Sequence, residues 1–261
     1  RHPWAPGVAA SFDRPYGKYP QIFTEHALSM GSGEFLLWEY PLLYWLEQQG
    51  FDVTYTSNSS MLDASAFTRA RVFLSVGHDE YWDPRQYDAA LASVRAGVTH
   101  LYLSGNSVMG VTPLLPAADG RALRRLSREG VYGGLYGGFR DWLKLPFSRE
   151  GPKANQLMGV HSIYPFNGGG DWICDHPRHW LFAGTGMKRG DAIPGLVGWE
   201  FHGDPADIPS LEIVARGTAL SSGTRPVEWC STIYSGPKRN FVFSASTIWW
   251  AQGLSSPPGH I

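Results

Sequence analysis

The sequence predicts an α/β fold, in which a doubly wound parallel sheet is followed by a β-rich second half. Two features of the 261-residue chain lead to this prediction. Through residues 1–110, segments typical of strands and helices alternate at the length of strand–helix–strand units. From residue 111 onward, Gly and aromatic residues are frequent and the recognisable segments are strands. No linker separates the two parts, so we expect a single domain over residues 1–261.

The first half contains four predicted strands and two predicted helices. The first helix begins at Pro41, a residue favoured in a first helical turn, and ends at Gly50. The second helix has Asp83 as its N-cap, runs to about Ala96 and ends at Gly97. The strands are predicted at residues 8–15, 51–56, 71–76 and 99–104. The third strand is apolar enough to be buried on both faces.

The second half is predicted to be irregular and rich in strands. Residues 211–215 are expected to form a strand, and residues 228–234 and 240–244 a hairpin around a turn at 235–239. The glycines at 168–170 predict a flexible turn, and the Gly-rich residues 130–138 predict a turn-rich lid. We therefore expect this half to cover one edge or end of the sheet.

Composition excludes several classes of protein. A net charge of −1 provides no basic field for nucleic acid, and the chain has no run of about 18 apolar residues that could span a membrane. Cys174 and Cys230 are too few for a disulfide framework, and they are either two buried thiols or one disulfide. Localisation stays open. The 31 Gly and 11 Trp residues suit a sugar-binding β-protein or an enzyme with a loop-built site.

The predicted topology indicates where a ligand would bind. In an open α/β sheet, ligands bind beyond the carboxyl ends of the strands, where the strand order reverses. With a flavodoxin-like order of 2-1-3-4, the loops after the first and third strands meet in one crevice. These loops are residues 13–16, which end in Tyr16, and residues 77–82. Asn106 follows the fourth strand, and residues 38–40, which end in Tyr40, would enter the same crevice.

The loop after the third strand carries the densest group of ionisable residues, His78, Asp79 and Glu80. His78 and Glu80 lie two residues apart, so on an extended segment they face the same way, and one could bind a metal while the other contacts substrate or water. Asp79 alone is better explained as favouring the dipole of the following helix. Tyr16 and Tyr40 are more often core or rim residues, but a phenol beside a cation can ionise, and phenolate suits ferric iron.

Glu200 is the carboxylate of interest in the second half, because apolar residues flank it in the segment GWEF. A buried carboxylate in such surroundings has a raised pKa unless it is paired. A general acid or base needs tuning of this kind. The alternative is a structural carboxylate that caps a turn or pairs with an arginine.

Seven segments, read in order over roughly residues 11–254, resemble one known family. They are SFDRPY, FLLWEYPLLYWLEQQGFDVTY, RVFLSVGHDEYW, YLSGN, HWLFAGTGMKRGD, GLVGWE and FVFSASTIWWAQGL. The family is the large (beta) subunit of N,N-dimethylformamidase, in its C-terminal part. The resemblance implies a core similar to class I glutamine amidotransferases. It also implies hydrolysis of dimethylformamide to dimethylamine and formate by a mononuclear iron held by two tyrosines and one glutamate.

The iron ligands of that family can be carried over to this sequence. Its glutamate ligand matches Glu80. The nearer tyrosine ligand best matches Tyr40 and the farther one Tyr16, with Tyr44 and Tyr81 as neighbouring alternatives. Three anionic ligands offset a 3+ charge, so ferric iron is expected.

The remaining family residues supply the predicted catalytic groups. An essential histidine two residues before the glutamate ligand matches His78, a site asparagine matches Asn106, and a second essential glutamate matches Glu200. Glu200 is the candidate base for water or acid for the leaving amine. His78 and Asn106 would orient substrate or stabilise the developing oxyanion, and Trp38 would line a pocket for small N-alkyl groups.

These inferences predict an iron-dependent amidohydrolase that hydrolyses a small N-substituted amide through a metal-activated water. The expected partners are the small-molecule amide, a small partner subunit and further copies of the chain, with neither nucleic acid nor membrane. One alternative is a non-enzymatic module that binds a carbohydrate or another ligand on the same fold. The other is a hydrolase with a different metal.

Overall fold

The computed structural model describes residues 7–15, 34–133, 149–162, 168–221 and 224–257. Of these described residues, 39% lie in strands and 21% in helices. The helices are α1 (Phe35–Trp38), α2 (Tyr40–Gln48), α3 (Ala64–Phe67), α4 (Pro84–Ala96) and α5 (Asn155–Met158). Single 3₁₀ turns are formed by Asn58–Ser60, Trp180–Phe182 and Ile248–Trp250.

The described residues form sixteen strands, most of them short. They are β1 (Val8–Ser11), β2 (Val72–Gly77), β3 (Tyr81–Trp82), β4 (Thr99–Ser104), β5 (Gly110–Val111), β6 (Leu114–Leu115), β7 (Arg125–Arg128), β8 (Gly130–Gly133), β9 (Arg149–Lys153), β10 (Val160–Ser162), β11 (Gly168–Ile173), β12 (Ala192–Trp199), β13 (His202–Pro205), β14 (Glu212–Ser221), β15 (Arg225–Ser235) and β16 (Phe241–Ser244).

The largest sheet is a curled, mixed sheet of seven strands in the order β12-β11-β14-β15-β16-β4-β2. In this order, each strand from β12 to β15 is antiparallel to the next one, ending with the pair β15 and β16. Strands β16, β4 and β2 are parallel to one another. Three smaller sheets have the orders β1-β7-β6, β10-β13 and β3-β5-β8-β9. The parallel part is therefore one end of a larger antiparallel meander.

Both faces of the large sheet are covered, because successive residues of its central strands enter opposite cores. On β16, Val242 packs in a core with α4, while Phe243 packs in a core with α2. Tyr102 and Leu103 on β4 divide in the same way. This alternation follows from the two-residue period of a strand.

Several local predictions are confirmed. Helix α4 begins after Asp83, whose side chain accepts a 2.8 Å hydrogen bond from the Arg85 N–H, and it ends at Gly97, where φ is 106°. Strands β2 and β4 flank this helix and pair in parallel, as a strand–helix–strand unit should. The predicted hairpin is present as β15 and β16, and the predicted strand at 211–215 is part of β14.

The predicted flavodoxin-like, doubly wound sheet with an amidotransferase-like core is wrong. The first predicted strand forms β1, which pairs antiparallel with β7 outside the large sheet. The second is not a strand, and its Phe51 and Tyr55 are 56% and 59% exposed. The position beside β4 is taken instead by β16, from the far end of the chain. Local patterns carry no information about such distant pairing.

Three smaller predictions also fail or lie outside the described residues. The third predicted strand exists as β2, but it is an edge strand, and Val72 is 43% exposed rather than buried. The glycines at 168–170 open strand β11 rather than a turn. Of the predicted lid, Gly130–Gly133 is strand β8, and residues 134–138 lie outside the described part of the chain.

Two further expectations can be compared with the structure. Cys174 and Cys230 are both buried and both free thiols. Within the described segments, no helix is long and apolar enough to cross a membrane.

Candidate functional site

Three sequence-predicted residues, His78, Asn106 and Glu200, meet at one end of the large sheet. His78 follows β2 and Asn106 follows β4. Because these strands are adjacent and parallel, both residues lie at the same end of the sheet. Glu200 lies between β12 and β13. The His78 Nε2 atom is 2.7 Å from Glu200 Oε2, and Asn106 Nδ2 donates a 3.1 Å hydrogen bond to Glu200 Oε1. Each carboxylate oxygen of Glu200 therefore has its own partner.

This cluster is shielded from water, with Glu200 only 4% exposed. The close approach of His78 and Glu200 lies outside the angular range of a regular hydrogen bond, so we describe it as an ion pair. A buried carboxylate without a partner would be costly. Glu200 is thus paired, although with a histidine and an asparagine rather than with an arginine.

His78 lies between two carboxylates. Its second ring nitrogen, Nδ1, is 3.3 Å from Oε2 of Glu34, the residue that precedes α1. Burial by itself lowers the pKa of His78, but the contacts with Glu200 and Glu34 outweigh burial and raise the pKa to about 10. The imidazole is therefore protonated at neutral pH, with one carboxylate close to each of its ring nitrogens.

Two glycines allow the chain to reach this geometry. A Cβ atom on Gly105 would lie 2.1 Å from the Glu200 carbonyl oxygen, so only glycine lets the loop after β4 approach the Glu200 backbone. Gly77, at the end of β2, has a φ of 68°, and its Cβ would lie 2.5 Å from Cβ of Trp38. The backbone before His78 and Asn106 is therefore fitted closely to its neighbours.

Glu80 is buried beside the same cluster. Burial, followed by the negative charge of Glu200, raises the pKa of Glu80 to about 7, while the positive charge of His78 acts in the opposite direction. Its backbone oxygen accepts hydrogen bonds of 3.0 and 2.9 Å from the N–H groups of Met109 and Gly110. A cation bound at Glu80 would offset the repulsion between the two carboxylates.

The four tyrosines that are candidate metal ligands differ in their surroundings, as far as the structure describes them. Tyr16 lies outside the described residues. Tyr40 is the first residue of α2, and its ring lies 6.1 Å from the ring of Tyr44. Tyr81 accepts a 2.6 Å hydrogen bond from Arg128 Nη2, and the same guanidinium lies 4.8 Å from its ring centre. The Tyr81 side chain is also hydrogen-bonded to the Glu80 side chain, so Tyr81 stays beside Tyr40 as a candidate ligand.

The described donors are compatible with the implied iron without defining its position. In the part of the chain that the structure describes, no three His, Cys, Asp or Glu side chains are grouped to share a metal ion. The implied set contains just one residue of these types, Glu80, together with two tyrosines. A buried carboxylate and phenolates are hard oxygen ligands, and the excess of carboxylates around His78 suits a trivalent cation.

An aromatic wall of Trp38, Trp199 and Trp249 adjoins His78. The Trp38 and Trp199 rings are nearly parallel at 6.0 Å, and the Trp38 and Trp249 rings lie 4.8 Å apart. The His78 ring stands edge-on to Trp199 at 5.7 Å. This wall places apolar surface directly beside the ionisable cluster.

The sequence did not indicate Glu34. Its only signal is an acidic residue at the entry to α1, where its φ of 82° is unusual for a non-glycine residue. Asp79, expected to favour the dipole of the following helix, also has side-chain partners outside that helix. Its carboxylate accepts hydrogen bonds from Ser75 Oγ at 2.8 Å and from Asn58 Nδ2 at 3.3 Å.

Comparison with known proteins places the chain in a family. Residues 3–260 match the sequence model of the family described as N,N-dimethylformamidase beta subunit-like, C-terminal. No curated protein matches the chain. The match supports an amide hydrolase in general terms, and a family named for a beta subunit is consistent with a partner subunit. The chain belongs to the N,N-dimethylformamidase beta subunit-like family.

Proposed function

We propose that the chain is an iron-dependent amidohydrolase that cleaves a small N-substituted amide into a carboxylic acid and an amine. The observation that carries this proposal is the buried contact of Glu200 with His78 and Asn106 beside Glu80. The Glu200 carboxylate, the His78 imidazolium and the Asn106 amide meet there, at the end of the sheet that the tryptophans adjoin. Such groups can transfer a proton and stabilise a developing oxyanion, and both contributions speed amide hydrolysis.

Tyr16, Tyr40 and Glu80 would hold the iron, which when bound supplies Lewis acidity that polarises a carbonyl and lowers the pKa of water. Glu200 takes a proton from water as the water oxygen bonds to the amide carbon. The C–N bond then breaks, and Glu200 returns that proton to the leaving nitrogen. The products are the acid and the amine, so the proton count balances.

The partners of Glu200 define two supporting roles. His78 stays protonated and holds Oε2, and Glu34 fixes the opposite side of its ring. The Asn106 side-chain amide donates one N–H to Glu200 Oε1. Its second N–H would donate to the substrate carbonyl oxygen as that oxygen develops negative charge. The aromatic wall of Trp38, Trp199 and Trp249 would receive the N-alkyl groups.

The role of Glu200 is tested by Glu200→Gln, which keeps the size of the side chain and removes the base. We expect it to retain iron and to lose amide hydrolysis by a factor of about 10² or more. Glu228→Gln is the matched control, because Glu228 is an exposed carboxylate on β15 that accepts a hydrogen bond from Thr218. Full activity in Glu200→Gln would remove Glu200 from the mechanism.

The role of Glu80 is tested separately by Glu80→Ala. We expect this variant to lose iron, as measured by elemental analysis, because a ligand of the proposed set is removed. Glu228→Ala should keep its iron. An iron content in Glu80→Ala equal to that of the wild type would contradict the proposed ligand set.

The carbohydrate-binding alternative is weakened by where the tryptophans lie. Trp38, Trp82, Trp172 and Trp229 are buried, so their rings cannot stack on a sugar at the surface. Trp180, at 56% exposed, is the large exception among the described tryptophans. A glycan array with binding abolished by Trp180→Ala, in protein without iron, would favour this alternative over hydrolysis.

The proposed enzyme acts with a small partner subunit and as a homo-oligomer. The support is the family description, which names a beta subunit. Co-expression with the neighbouring small open reading frames, followed by light scattering of the purified protein, tests this part. A monodisperse monomer with full hydrolytic activity would contradict it.

A further inference from the structure

A buried histidine lies directly behind the candidate site. His202 begins β13, two residues after Glu200, and it is fully buried. Its Nε2 atom accepts a 3.2 Å hydrogen bond from the backbone N–H of Ser107, the residue after Asn106. The short segment from Glu200 to His202 therefore binds the loop after β4 twice. Glu200 binds the side chain of Asn106, and His202 binds the next backbone amide.

The loop that His202 binds has an unusual backbone. Asn106 and Val108 both have a φ of 53°, in the left-handed region. Asparagine tolerates this region, but a β-branched valine is strained there, so the surrounding structure must hold the conformation. The Ser107 N–H lies between these two residues. Its bond to His202 is therefore placed where the loop needs restraint.

The hydrogen-bonding state of His202 follows from its partner. A backbone N–H can only donate, so Nε2 must carry a lone pair and Nδ1 must carry the proton. Burial lowers the pKa of His202 to about 3, so the ring stays neutral at physiological pH. The ring is thus fixed as an acceptor towards Ser107.

A second buried histidine, His161, complements this arrangement. Ser162 on β10 is the register partner of His202 on β13. The Nδ1 atom of His161 donates to the Ser162 carbonyl oxygen at 3.2 Å, so its Nε2 is an acceptor. Among the described residues, neither this Nε2 nor the Nδ1–H of His202 has a partner, and the two rings influence each other electrostatically. An unpartnered acceptor and an unpartnered donor are therefore buried on the paired strands β10 and β13.

We propose that His202 is a positioning residue that holds the Asn106 loop against Glu200. Its catalytic consequence rests on the proposed function, whereas the clamp itself rests on the contacts of His202 with Ser107 and of Glu200 with Asn106. His202 touches no reacting atom. It acts on the reaction through the position of Asn106.

The decisive comparison is between His202→Phe and His202→Gln. Phenylalanine fills the space without an acceptor, whereas the glutamine amide oxygen reaches the place of Nε2 and can accept the Ser107 N–H. We expect His202→Phe to lower kcat by about 10- to 100-fold with little change in KM, because a displaced Asn106 serves the transition state poorly. His202→Gln should recover most of this loss. Equal impairment of both variants would indicate packing alone and would overturn the proposal.

His100→Phe is the matched control. His100 is also fully buried and neutral, with its pKa lowered to about 3 by burial, but it lies at the other end of β4. The kcat of His100→Phe should stay within about twofold of the wild type, because His100 contacts Ser93 and Tyr102 rather than the Asn106 loop. A loss of kcat equal to that of His202→Phe would attribute the effect to the removal of any buried histidine, and would overturn the proposal.

A readout independent of activity separates this proposal from the proposed function. In the wild type, ¹⁵N NMR should show His202 as the neutral tautomer protonated at Nδ1, and the Ser107 amide should exchange slowly with solvent. In His202→Gln the Ser107 amide should stay protected, and in His202→Phe it should exchange faster. A tautomer protonated at Nε2 would overturn the clamp even if His202→Phe does not fold. If the wild type hydrolyses no amide but shows these signatures, the proposed function fails and the clamp stands.

Discussion

At the scale of single residues, the loop after β4 passes very close to the backbone of Glu200. A Cβ on Gly105 would meet the carbonyl oxygen and carbon of Glu200 at 2.1 and 2.6 Å, and the Ile248 nitrogen at 2.9 Å. All three atoms belong to the backbone and cannot rotate away. The position of Asn106 relative to Glu200 therefore depends on the absence of a side chain at Gly105.

Gly105→Ala should displace this loop. We expect the free energy of unfolding to fall by about 1–3 kcal/mol, as for other overpacked sites. Hydrolysis should fall by about tenfold or more, because Asn106 moves away from Glu200. Urea unfolding and a rate assay measure the two effects. Gly169→Ala is the control, since its Cβ would meet only one atom, at an ordinary 3.5 Å; equal behaviour of the two variants would refute the close-approach argument.

A second prediction at this scale concerns His100. Its pKa in the folded protein is lowered to about 3 by burial, below the ordinary value of 6.5. The unfolded chain therefore binds the proton first as pH falls, and the folded state loses stability below about pH 6.5. The stability of the wild type relative to His100→Phe should be nearly constant above about pH 7 and fall by about 2 kcal/mol between pH 7 and pH 5. Denaturant titrations at each pH measure it, and a pH-independent difference would contradict the buried neutral state.

At the scale of elements, the N-cap of helix α4, Asp83, also binds strand β6. Asp83 accepts hydrogen bonds from the backbone N–H of Arg85 at 2.8 Å and of Leu114 at 2.7 Å. It also binds the Arg85 guanidinium, and these contacts outweigh burial and lower its pKa. One side chain thus joins α4 to β6.

Removing this side chain should cost more than removing an ordinary cap. Asp83→Ala should lower the free energy of unfolding by about 2–4 kcal/mol, the sum of a lost cap and an unsatisfied buried N–H. Asp63→Ala is the matched control, because Asp63 caps α3 at an exposed position through Ser65 alone, and it should cost about 1 kcal/mol. Urea unfolding curves compare the two variants. Equal costs would show that the Leu114 bond adds nothing.

Elements with local signals could be predicted from the sequence, and those that depend on distant partners could not. Pro84 and Gly97 define both ends of α4 because proline and glycine restrict the backbone locally. Residues 51–56 have the alternation of a strand, but they pair with none of the described strands. The glycines at 168–170 look like a turn, yet β12 and β14 accept them into a sheet. Tertiary pairing overrides propensity in both cases.

At the scale of the whole molecule, the predicted fold is wrong, yet His78, Asn106 and Glu200 lie together in the structure. The rule that ligands bind beyond the carboxyl ends of parallel strands needs only β2 and β4 to be adjacent, and they are. Glu200 reaches them because β12 to β16 curl back from the second half of the chain. Glu34 and His202 were missed, since their roles arise from contacts that no local pattern encodes.

The central claim is that this end of the sheet is an iron site for amide hydrolysis. The most direct measurement is elemental analysis of the purified protein from iron-replete cells, with its visible absorption spectrum. We expect about one iron per chain and the colour of a ferric phenolate, and we expect Glu80→Ala to lose both. Colourless, iron-free protein that still hydrolyses an amide, or that contains another metal in stoichiometric amount, would contradict the claim.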